Sequence, residues 1–283
     1  MRIDAHHHLW QLARGDYGWL TPDPSLAPIY RDFTMADVTP LLKRFSIDKT
    51  ILVQAAPTEA ETQYLLGIAL HDARVAGVVG WSDFESPTAR ENIARLAVDP
   101  LLLGLRPMVQ DIADDDWLLR EDLHPAFQAM EKQKLVFDAL VLPRHLTRLL
   151  HVVDQFPGIT FVIDHLAKPF VALGAMEPWA SEMSALARRP NVFCKLSGLI
   201  TEAKQNWRID DLRPYVQHVL RIFTPQRLLW GSDWPVADLA GGYRLWGEAS
   251  EDLLGHLSQQ DRDAIWGGTA AKVYLSRRGR QPS

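Results

Sequence analysis

Along this chain, short runs of apolar and β-branched residues alternate with longer amphipathic stretches, and the pattern repeats eight times. The apolar runs predict strands over Ile3-Leu9, Thr50-Gln54, Val75-Gly80, Leu101-Arg106, Leu135-Leu140, Thr160-Ile163, Val192-Lys195 and Arg227-Trp230. The stretches between them read as helices. Thr34-Phe45 is one, with Thr34 and Asp37 spaced as a loose capping signal, and Glu59-His71 is another, with Leu65, Ile68 and Ala69 on one face. Strand followed by helix, eight times over, predicts an α/β protein of the closed (β/α)8 or TIM-barrel type. No low-complexity linker or charge block interrupts the pattern, so residues 1–283 are expected to form one barrel domain. Chemistry in such a barrel sits where the strands end.

Those ends are polar. The first strand runs into His6-His7-His8, a triplet that also suits a purification-tag remnant or an accident of the surface. A tag sits in a flexible polar context, whereas Ile3 precedes this run and Leu9-Trp10 follow it. Strand alternation then puts His6 and His8 on one face and His7 on the other. The fourth strand ends in Arg106, the fifth delivers Asp138, the sixth Asp164-His165, the seventh Lys195 and Ser197, and the eighth Asp233 within "GSDWP". One such histidine is commonly structural, and one such aspartate can simply cap a turn. Polar groups at most of the strand ends need partners, because each buried one without a partner costs on the order of 1 kcal/mol or more. A shared site supplies them.

Composition narrows the chemistry. With 283 residues, 47% hydrophobic and 23% charged, the chain can bury a large core, which excludes disordered and fibrous classes. The formal net charge of -5 and the lack of any basic block beyond Arg277-Arg278-Gly279-Arg280 argue against nucleic acid and anionic membrane as partners. Cys194 is the only cysteine, so no internal disulfide forms, and no signal-like or long apolar segment is evident. A cytoplasmic protein acting on a small molecule is expected, with a homo-oligomer compatible with the sequence.

The segments "IDAHHHLW", "VQAAPTEAET", "GLRPMVQD", "DWLL", "FDALVLPRHL", "VIDHLAKP", "CKLSGLITEA" and "LLWGSDWPV" together resemble the amidohydrolase superfamily, within amidohydrolase family 2. More narrowly they are similar to its sugar-lactone hydrolases of the L-fuconolactonase type, over residues 3 to about 240. That superfamily opens with His-x-His on strand one and closes with an aspartate on strand eight. The resemblance implies hydrolysis of a sugar-derived lactone such as a fucono-, galactono- or rhamnonolactone. A two-metal site would need a bridging Lys or Glu from strand four and histidines from strands five and six. Arg106, a permanent cation that cannot ligate, and Asp138 stand there instead. His6, His8 and Asp233, with His165 nearby, suffice for one divalent ion, zinc or manganese, and serve equally as a metal-free hydrogen-bonding site.

Either version uses the same chemistry. Lactone opening needs an activated water, electrophilic help at the carbonyl oxygen and a proton for the departing ring oxygen. Asp233 is the natural base, and burial beside Trp234 is expected to make it more basic than a surface aspartate. His6 and His8 orient the water, while His165 and Arg106 face the developing oxyanion. Trp19, Asp138, Lys195 and Trp207 are candidate substrate contacts, although Lys195 also reads as one half of an ion pair and Asp138 as a brace for Arg106 or a histidine. Trp10 and Trp234 fall in similar strand-end segments. Asp164 directly precedes His165, so alternation is expected to turn it toward the helices and outside catalysis. Two rival functions fit a barrel of this kind: an aromatic-acid decarboxylase of the same superfamily and a non-catalytic barrel that binds a small acid or sugar. The decarboxylases usually carry Glu or Ala-x-Glu on strand one, which Ile3-Asp4-Ala5-His6 lacks.

Overall fold

The computed structural model describes residues 1–276, so the basic segment Arg277–Arg280 lies outside the described residues. Eight parallel strands follow one another around a barrel: β1 (Ile3–His7), β2 (Lys49–Val53), β3 (Val75–Gly80), β4 (Leu102–Leu105), β5 (Val136–Ala139), β6 (Phe161–Ile163), β7 (Val192–Leu196) and β8 (Leu228–Trp230). Each lies within two residues of its predicted bounds. The ring is completed just beyond the strand ends, where His8 N donates to Trp234 O at 2.7 Å and Asp233 N donates to His6 O at 2.8 Å. The (β/α)8 prediction therefore holds.

Helices pack outside the barrel. Helix α1 (Met35–Arg44) starts where Asp37 accepts from Thr34 N at 2.9 Å, as the capping signal predicted. Helix α2 (Glu59–His71) is capped by Thr58, whose hydroxyl accepts from Glu61 N at 3.1 Å. Leu65 and Ala69 are buried as expected; Leu66 rather than Ile68 completes the covered face, because α2 is enclosed more deeply than one stripe.

Within the bore, Ile3, Ile51, Val79, Leu103, Val136 and Val162 form an apolar plug together with Ala270, Val273 and Tyr274 from the C-terminal turns. Those turns pass the start of β1, where a Cβ on Gly267 would come within 2.4 Å of Met1 O. The plug leaves the opposite end of the barrel to polar residues.

Candidate active site

Three local devices turn side chains toward one point. On β1, Asp4 pairs with Thr50 but His7 pairs with Leu52, so one extra residue bulges out of register. Ala5 lines the bore with Ile3, and the bulge then lets His6 turn inward as well. His7 is buried outside the cluster, with neither ring nitrogen hydrogen-bonded among the described residues. The second device follows β6, where His165, Leu166, Ala167 and Lys168 all have φ between 51° and 57°, the left-handed region that most side chains avoid. This turn swings His165 into the site. Asp233 is the third, with φ 57° just past β8, and such strained positions concentrate at functional sites. Gly198 and Gly231 make room, since a Cβ at either would press within 2.6 Å of His165 or His6.

The result is a compact, almost fully buried cluster. Asp233 Oδ1 lies 3.4 Å from His8 Nε2 and 3.8 Å from both His6 Nε2 and His165 Nε2. His6 and His8 approach to 3.2 Å through their Nε2 atoms. Each histidine is held from behind: His8 Nδ1 donates to Val53 O at 2.8 Å, and His165 Nδ1 meets Ser197 Oγ at 2.8 Å. Arg106 Nη1 reaches Asp164 Oδ2 at 3.3 Å and His6 Nε2 at 3.4 Å, and its Nη2 donates to Gln54 O.

Beneath His6 runs a second, wholly buried layer. Lys195 Nζ donates to Asp138 Oδ2 and to His6 Nδ1, the latter at 3.1 Å, and lies 3.0 Å from Asp164 Oδ1. Tyr274 reaches up the bore to donate to Asp138 Oδ1 at 2.8 Å. Two sequence expectations are corrected here. Asp164 faces the site and not the helices, because Val162 lines the bore and period two carries Asp164 to the same side. Asp138 and Lys195 are enclosed against each other under the cluster, so their polar atoms are spent on protein partners and not on a substrate.

Burial pushes the histidines toward the neutral form: His165 falls to about 4, and His6, with Lys195 beside it, goes well below its ordinary value. Burial alone would raise Asp233, but His165, His8 and His6 outweigh it and hold the carboxyl below its ordinary range. Asp233 is thus ionised at neutral pH, and the expected gain in basicity is not found. Burial raises Asp138 to about 6 against the pull of Lys195.

The tryptophans separate. Trp19 donates to Ala55 O at 2.7 Å and helps to line a cavity of about 460 Å³ with Trp81, Ser82, Asp83, Pro107 and Met108, immediately after Arg106 in the chain. It packs edge-on against Trp10, which in turn stacks beside His8. Trp207 instead donates to Ala240 O at 2.9 Å in another groove; the clustered residues line neither space, and Trp19 is the one tied to them, through Trp10 and His8. Sequence reasoning did not anticipate Tyr274, which comes from a distant segment with no motif. It also missed Asp4, whose Oδ1 accepts from His6 N at 3.2 Å and Ser232 N at 2.9 Å and so ties β1 to β8.

A parallel eight-stranded barrel with inward His-x-His on its first strand and an aspartate after its last defines a hydrolase of the amidohydrolase type. Residues 3–275 match the family model described as Amidohydrolase, and the chain belongs to that family. It is 47% identical to the L-fucono-1,5-lactonase of Burkholderia ambifaria over 277 residues, covering 96% of this chain and 95% of that protein. It is 35% identical to the L-fucono-1,5-lactonase of Burkholderia multivorans, covering 97% and 96%. The crystal structure of a Burkholderia multivorans amidohydrolase with bound zinc superposes with a TM-score of 0.89 at 35% identity, covering 97% of this chain and 99% of that one.

The separations of 3.2 to 3.8 Å from Asp233 Oδ1 to the three Nε2 atoms and between those of His6 and His8 are close to the edge of a tetrahedral site, about 3.4 Å for bonds near 2.1 Å. His6, His165 and Asp233 offer donor atoms mutually within 4.8 Å, and His8 Nε2 lies 3.2 Å from His6 Nε2 and 3.4 Å from Asp233 Oδ1. The residues fit a divalent ion. Among the described residues no helix is long and apolar enough to cross a membrane.

Proposed function

We propose that this protein opens a sugar-derived lactone, of the L-fucono-1,5-lactone class, to its hydroxy acid. The carrying observation is the convergence of His6, His8 and His165 Nε2 on Asp233 Oδ1. Two lactonases that match nearly the whole chain, at 47% and 35% identity, support the substrate class.

In this reading water lies against Asp233, oriented by His6 and His8. As its oxygen bonds to the lactone carbonyl carbon, one proton passes to Asp233, and the carbonyl oxygen takes up negative charge facing His165 and Arg106. Collapse of the adduct breaks the ring C–O bond, and protonated Asp233 returns the proton to the leaving alkoxide. The carboxylic acid product then loses its own proton to solvent. At most one divalent ion, zinc or manganese, binds, held by His6, His8, His165 and Asp233; bound there it would lower the pKa of water and polarise the carbonyl. Two cations already beside His6, Arg106 and Lys195, oppose a second ion. Trp19 presents an aromatic face for sugar C–H surfaces in the cavity that Pro107, the chain neighbour of Arg106, also lines.

The test is a panel of aldonolactones followed by pH indicator beside an assay for carbon dioxide from aromatic acids. Turnover of L-fuconolactone or a close stereoisomer without decarboxylation supports the proposal, and decarboxylation without lactone opening overturns it.

A further inference from the structure

His6 sits between two rival partners on its far side. Lys195 Nζ is 3.1 Å from its Nδ1, and Asp164 Oδ1 is 3.3 Å from the same atom. One can only donate and the other, as a carboxylate, only accept. Which of them holds Nδ1 is decided by a chain of hydrogen bonds that begins on β2. A carbonyl accepts, so His8 Nδ1 carries the proton given to Val53 O, and the neutral ring leaves its Nε2 with a lone pair. The 3.2 Å contact between the two Nε2 atoms then has His6 Nε2 donate, which leaves Arg106 Nη1, also only a donor and farther from that nitrogen at 3.4 Å, to its bond with Asp164 Oδ2 at 3.3 Å. His6 Nδ1 is left with the lone pair, and that atom meets Lys195. Among the described residues, buried Asp164 Oδ1 has no hydrogen bond beyond the ion-pair contact of Lys195 Nζ at 3.0 Å.

A divalent ion demands the opposite arrangement. To ligate through Nε2, His6 must move its proton to Nδ1, where Asp164 Oδ1 stands ready to accept it and Lys195 loses its bond. The ammonium of Lys195 also repels a cation on the other side of the ring. We infer that Lys195 acts as a positioning residue that locks His6 in the Nε2–H form and holds down divalent-metal affinity, with Asp164 as the acceptor that metal binding would recruit. This inference reaches beyond lactone hydrolysis, and neither measurement below depends on turnover.

Zinc affinity of the purified full chain, read by competition with a chromophoric chelator, should tighten by roughly tenfold or more in Lys195→Met and weaken by a comparable factor in Asp164→Asn, the range typical of groups that orient metal ligands. Unchanged or weaker zinc binding by Lys195→Met overturns the inference. Because that variant leaves two buried carboxylates without their cation, Lys195→Met/Asp138→Asn is measured beside it, with circular dichroism to establish folding, and should tighten zinc in the same direction. The wild-type protein supplies an independent check. In long-range ¹⁵N–¹H spectra of zinc-free protein, His6 should carry its proton on Nε2, moving to Nδ1 when zinc is added; a proton on Nδ1 in the zinc-free state overturns the inference whatever the variants do.

Discussion

Asp233 Oδ1 lies 3.4 Å from His8 Nε2, joining the loop after the last strand to the end of the first. The backbone enforces the meeting, with His8 N donating to Trp234 O and Asp233 N donating to His6 O. Asp233, His6 and His8, the base and water-orienting groups of the proposed reaction, are therefore fixed by the same bonds that complete the barrel, as a rigid scaffold pre-organises a reaction.

His7 provides a sharp contrast with its neighbours. Burial lowers its pKa from 6.5 to about 3, so the unfolded chain takes up a proton first as pH falls, and stability is lost from about 6.5 downward. Replacing His7 with Leu removes that loss. Relative to wild type, the variant should gain roughly 1.4 kcal/mol for each pH unit below 6.5, until pH approaches 3. Urea titrations at pH 7.5 and 5 check this, and lactone turnover at neutral pH should stay near wild type. An unchanged stability difference between the two pH values would place His7 in a different environment.

Tyr274 braces the lower layer from the far end of the chain. Tyr274→Phe leaves Asp138 without its hydroxyl donor and should cost about 1 to 3 kcal/mol of stability. Denaturant unfolding reads the loss directly. A variant as stable as wild type would show that the hydroxyl contributes nothing net to holding Asp138.

Trp19 and Trp207 were equal candidates in the sequence, and the structure divides them. Trp19→Phe keeps a smaller aromatic face in the cavity and loses the bond to Ala55 O, and Trp19→Ala removes the face as well, so KM for the lactone should rise in that order. Trp207→Ala should leave KM within about twofold, since Trp19 packs on Trp10 beside His8 whereas Trp207 lies in a separate groove. Equal effects from the two alanine variants would remove the 460 Å³ cavity from the substrate path.

The barrel was legible because eight apolar runs recur along the chain, most of them ending in polar residues, and burial on both faces of a parallel strand leaves that mark in a sequence. His6, His8, Arg106, His165 and Asp233 were legible for the same reason. What escaped depends on geometry that residue order does not carry. The bulge that turns His6 inward right after the inward Ala5 leaves no mark in the residue order, and the inward register of Val162 decides the side of Asp164. Tyr274 enters from a segment whose apolar pattern resembles any packing turn. The acidity of Asp233 reverses the expectation because three imidazoles surround it, and proximity to Trp234 alone gave no sign of them.

The central claim is that ionised Asp233 takes the proton from the attacking water, and the most direct test is the turnover number of Asp233→Asn on L-fuconolactone, followed by pH indicator with circular dichroism as the folding control. Asparagine keeps the size and loses the base, so the account predicts a fall of roughly 10² or more in kcat with the fold intact. Near wild-type turnover by a folded Asp233→Asn protein would contradict it.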